Sequence, residues 1–119
     1  MRILILFFIL CLVAPASASE LQRTERSIRN LTIEHAYVFI GDTCILHVPG
    51  DNNSVWLSDL SILRGTTLLH NHPPGSGEGP SAADMRVAKN AGVHTMVVTT
   101  YNGIWTTTEP FENYTFEKW

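Results

Sequence analysis

Apolar residues run along this chain in short stretches whose character changes several times. From Ile3 to Ala14 they are unbroken, "ILILFFILCLVA". Residues 20–31, "ELQRTERSIRNL", carry only sparse apolar positions and predict a short helix or a loosely held arm. "TIEHAYVFI" (32–40) has the alternation and the β-branched and aromatic content of a strand. Gly41-Asp42 closes it, and "TCILHV" (43–48) follows as its hairpin partner. "PGDNNS" (49–54) is a loop. In "SVWLSDLSILRG", Ser58 is placed to cap a short helix that Gly65 stops. "TTLLH" (66–70) predicts a third strand, and Ser81 opens a helix, "AADMRVAKNA", that ends at Gly92. "HTMVVTT" (94–100) and "GIWTTTE" (103–109) flank Asn102-Gly103, a two-residue hairpin signal. The tail "PFENYTFEKW" is aromatic enough to cover an edge or the core. Strands and helices mixed over one small core give an α/β (α+β) class, a mixed β-sheet with flanking helices.

The first apolar run stands apart from this alternation. It follows Arg2 and leads into "PASAS", in which Ala16-Ser17-Ala18 has the small-x-small form that a signal peptidase accepts. The run is short of the roughly 20 residues that cross a bilayer. Residues 1–18 are therefore expected to be a cleaved signal peptide, the product secreted or periplasmic, with no stable membrane span after cleavage.

Composition narrows the picture further. Cleavage removes Cys11 and leaves Cys44 alone, so no intramolecular disulfide can staple the domain. At mid-strand, Cys44 is expected to be a small buried hydrophobe. The formal net charge is −3 and no basic run exists, which disfavours nucleic acid as a partner.

The chemistry concentrates in residues 68–84, "LLHNHPPGSGEGPSAAD". Side chains two apart on an extended strand share a face, so His70 and His72 project together and Asn71 faces away. Pro73-Pro74 ends any ladder, and the glycines that follow let the chain turn back. The helix from Ser81 then delivers Asp84, whose carboxylate is placed to return as a third ligand. Two imidazoles and a carboxylate leave a fourth position free, the open arrangement of a catalytic zinc site. Ser81 to Asp84 is equally a capping box, and acid in a first turn suits the helix dipole with or without metal. A proton carrier is also needed, and Glu34 is the best candidate. It shares a strand face with Ala36, Val38 and Ile40, and an apolar edge raises a carboxyl pKa. His35, His47 and His94 are left to surface or packing roles.

These residues resemble the JAMM motif of JAB/MPN metalloproteases: an upstream Glu, then His-x-His, then a Ser and an Asp on a helix. "HNHPPG" with "PSAAD" is especially similar to the RadC-like branch and to JAB domains attached to phage and toxin proteins. The likeness runs roughly from Thr32 to Thr108 and implies a JAB/MPN-like sandwich over residues 32–119. It implies zinc on His70, His72 and Asp84, Glu34 as the residue that activates water, and Ser81 as the residue that steadies the tetrahedral intermediate. Peptide or protein bonds would be the substrate. Eleven residues separate His72 from Asp84, where the family usually has ten. The alternative is a catalytically silent metal-binding or interaction module on the same fold.

Overall fold

The computed structural model describes residues 18–51 and 59–119. The segment expected to be a signal peptide, up to Ser17, and Ser58, expected as a helix cap, lie outside the described residues, as do Asn52 to Ser54 of the predicted loop. Helix α1 (Glu20–Ile28) is followed by strands β1 (His35–Ile40) and β2 (Thr43–Pro49), a 3-10 turn (Leu60–Leu63) and β3 (Thr67–Asn71). Helix α2 (Ala82–Ala91), β4 (Thr95–Thr99), β5 (Gly103–Thr108) and β6 (Thr115–Lys118) complete the chain. The six strands form one mixed sheet in the order β2-β1-β3-β4-β5-β6. Only β3 and β4 pair in parallel, because α2 carries the chain back between them. The α+β class read from the sequence is the one observed.

Both faces of the sheet are covered, which explains where the core sits. Ala36 and Val38 of β1, Leu68 and Met96 pack against Ala88 and Ala91 of α2, with Leu63, Val93 and Phe111 closing the cluster. On the opposite face Phe39, Leu69 and Val97 pack against Ile28 of α1. The 20–31 segment is thus a docked helix and not a loose arm. Ser19 and Gln22 form a reciprocal capping box at its start. Asp42, in the β1–β2 turn, accepts from the amides of Glu20 and Leu21 at 2.9 and 3.0 Å, tying that helix end to the hairpin.

Three local expectations change. Ile40 is 59% exposed and Phe39 is buried. The β1–β2 register slips between Val38 and Phe39, and α1 covers the face to which Phe39 points. Cys44 is exposed, since β2 is an edge strand. The last hairpin turns one residue early, on Tyr101 and Asn102, with Thr100 N–H donating to the Gly103 carbonyl at 2.8 Å. Gly103 lies in β5, where a side chain would collide with the Glu117 carbonyl and the Phe116 ring. There glycine supplies room for β6 and not a turn conformation. Asp59 caps the 3-10 turn through the Ser61 amide.

Candidate metal centre

The site lies where β3 ends, beside the start of β1 and under the start of α2. His72 N–H donates to the Thr99 carbonyl at 2.9 Å, so the chain stays extended one residue beyond β3. His70 and His72 therefore share the α2 side of the sheet, as period-two geometry requires. Both are buried. Their Nε2 atoms are 3.2 Å apart, and the rings meet edge to face.

Asp84 reaches them from the first turn of α2. Its Oδ2 lies 3.2 Å from His70 Nε2 and 3.1 Å from His72 Nε2. The same oxygen accepts from Ser81 N–H at 2.9 Å, while Ser81 Oγ accepts from Asp84 N–H at 3.0 Å. The capping box and the ligand geometry are thus one arrangement, in which the cap aims the carboxylate. Burial alone would raise the Asp84 carboxyl, but hydrogen bonds from His70, His72 and the Ser81 amide hold it well below the usual carboxylate range. The eleven-residue connection turns back through Gly75 and Gly77, which adopt positive φ.

These three atoms suit a metal ion. Ligands about 2.0–2.1 Å from a tetrahedral zinc stand roughly 3.3 Å from one another, and the three separations here are 3.1–3.2 Å. Imidazoles protonated at Nε2 can each donate to Asp84 Oδ2, but this sets two N–H groups against each other across the 3.2 Å His70–His72 contact, whereas an ion above the triangle serves all three atoms. His72 Nδ1 is buried with no hydrogen-bond partner among the described residues. Among the described residues no acceptor supplies the outer support that ligating histidines usually have.

Glu34 faces the cluster from the start of β1. It is 5% exposed, and its Oε1 stands 3.9 Å from His70 Nε2, too far for a hydrogen bond. Burial pushes its carboxyl above the ordinary value, with His70 and His72 pulling the other way. Potential ligand atoms of Glu34, His70 and His72 lie within 4.8 Å of one another, which offers a second ligand set. The Asp84 set fits better, because its oxygen lies 3.1–3.2 Å from both nitrogens while Glu34 Oε1 stands 3.9 Å from His70 Nε2. All five residues anticipated from the sequence thus converge on one place. Ser81 is exposed at its rim, and its hydroxyl proton remains free to donate.

One participant was not anticipated. Asn71, between the histidines, is fully buried and bonds to the backbone on both sides of Glu34. No local pattern signals a contact across 36 residues of chain. The remaining histidines stay off the site. His35 and His47 share a 2.8 Å hydrogen bond and stack with Tyr37 on the other face, and His94 is exposed. Comparison of the chain with protein-family models, curated proteins and solved structures gives no match.

Proposed function

We propose that this chain is a secreted or periplasmic zinc-dependent hydrolase, a JAMM-like metallopeptidase acting on peptide or protein. The observation that carries the reading is the triangle of His70 Nε2, His72 Nε2 and Asp84 Oδ2, two buried imidazoles and a part-buried carboxylate, with the buried Glu34 carboxyl facing it. Zinc held there would polarise a carbonyl and lower the pKa of a water. The chain's own residues do the rest. His70, His72 and Asp84 fix the ligand frame, and burial of the two histidines keeps bulk water from competing for their nitrogens. Glu34 stands where it can accept a proton from the attacking water. From the same place it can return that proton to the leaving nitrogen. Ser81, at the rim, can donate its hydroxyl proton to the developing oxyanion while its lone pair keeps the cap.

A second reading, a metal-binding module without turnover, draws support from the same serine, whose hydroxyl is exposed and already serves the cap. Glu34→Gln separates the two on a quenched-fluorescent peptide library with zinc-loaded protein. The hydrolase reading expects zinc retained and turnover lost. Unchanged behaviour in every assay would favour the silent module.

A further inference from the structure

We infer that Asn71 is a positioning residue for Glu34, locking the general base to the metal ligands as one rigid block; this rests on the reading of Glu34 as proton carrier. Two peptide planes flank the Glu34 Cα, and each is held at both ends. In the first, the Ile33 carbonyl accepts from Asn71 Nδ2 at 2.9 Å, and Glu34 N–H donates to the Asp51 carbonyl at 2.6 Å. In the second, the Glu34 carbonyl accepts from Gly50 N–H at 2.6 Å, and His35 N–H donates to Asn71 Oδ1 at 2.6 Å. One partner of each plane comes from the β2 side and the other is the Asn71 amide. Both backbone torsions of Glu34 are thereby fixed, and with them the direction in which its carboxyl leaves the chain.

The sheet needs a side chain here because its ladder runs out. The β1–β3 register reaches Ala36 opposite His70, and the next pair would be His35 opposite Asn71. Beyond that the chain leaves through His72 into Pro73 and Pro74, which carry no N–H to continue pairing. A carboxamide supplies donor and acceptor together at this reach. Aspartate lacks the donor, leucine lacks both, and glutamine is a methylene too long. Since His70 and His72 are its chain neighbours, Asn71 joins the proton carrier to two of the ligands with no flexible segment between them.

A double-mutant cycle in cobalt-loaded full-length chain tests this, using visible absorption of the ion and kcat and KM on the peptide library. Asn71→Leu is expected to bind one cobalt per chain, as wild type does, because the ligands are untouched. Its kcat should fall about 10- to 100-fold, the usual effect of losing an outer partner, with KM within about twofold. In a Glu34→Gln background the same change should add nothing, and the double variant's cobalt spectrum should match that of Glu34→Gln alone. A role in folding alone would instead multiply with Glu34→Gln, and that result overturns the inference. So does loss of cobalt in Asn71→Leu, which would place Asn71 behind the ligands and not the base. If Asn71→Leu does not fold, Asn71→Asp keeps the volume and the bond from His35. Wild-type kcat and spectrum in that variant would equally sink the proposal. Failure of the hydrolase reading looks different: wild type binds no cobalt, or Glu34→Gln alone changes neither readout. Where cobalt binds but no peptide turns over, the spectral cycle decides.

Discussion

Asp84 Oδ2 closes the Ser81 capping box and, in the same position, contacts both His70 Nε2 and His72 Nε2. One oxygen thus serves helix formation and ligand geometry, and substitutions can pull the two roles apart. Ser81→Ala removes the cap acceptor but no ligand, so it should cost about 1 kcal/mol of stability. Asp84→Asn keeps an oxygen that can accept from the Ser81 amide but loses the charge. Its helical content should stay at the wild-type level. Its zinc affinity should fall further than the roughly 10- to 100-fold typical of an outer partner. Chemical denaturation and a chelator competition assay read the two quantities. If Asp84→Asn bound zinc as wild type does, Asp84 would be a cap and nothing more.

Glu34 offers the sharpest division between binding and turnover. Glu34→Gln removes the proton carrier while leaving the His70, His72 and Asp84 frame intact. Zinc content should stay at wild-type level, and kcat should fall by about 10²–10⁴-fold, the usual worth of general acid–base catalysis. Steady-state kinetics beside elemental analysis checks both. Loss of zinc in this variant would move Glu34 into the ligand set, the alternative that its proximity to both histidines allows.

Glu25 makes a prediction remote from the site. It lies on the buried face of α1, and burial, then the charge of Glu117, pushes its carboxyl up to about 7, with Arg26 opposing. A pKa raised in the folded state means that folding favours the protonated form. That stabilisation is complete below the ordinary carboxyl value of 4.5 and is lost as pH rises toward about 7. Glu25→Gln should therefore flatten the decline across this window and stabilise the protein at pH 8 by about 1–3 kcal/mol. Urea unfolding at pH 5 and pH 8 measures it. An equal slope in both proteins would show that Glu25 ionises freely.

Gly103 is required for space. A methyl group there would meet the Glu117 carbonyl and the Phe116 ring, so β6 must shift away from β5. Gly103→Ala is expected to destabilise by about 1–3 kcal/mol, the range for overpacking a close contact. An unchanged unfolding midpoint would mean that β6 moves at no cost.

What the sequence revealed divides along the range of the interactions. The helix from Ser81 to Gly92 was legible at both ends, because its caps are written within a few residues; Gly92 closes it at a φ of 73°. His70 and His72 were legible for a related reason, since two residues on a strand share a face whatever the fold. The misread details depend on partners distant in the chain. Asn102-Gly103 resembles a turn, but the glycine answers to β6. Cys44 has a buried look in a strand that lies at the sheet edge. Ile40 and Phe39 exchange roles because the hairpin slips and α1 covers the second face. Asn71 had no visible purpose until Ile33 and His35 were seen beside it.

The most direct test of the account is the zinc content of the purified protein, measured by elemental analysis beside a His70→Ala/His72→Ala double variant of confirmed fold. The account predicts about one zinc per chain in the wild type and none in the variant, as the closed ligand triangle requires. No zinc in either, or equal zinc in both, would contradict it: the triangle would then be a hydrogen-bonded strand end, and the hydrolase proposal would fall with it.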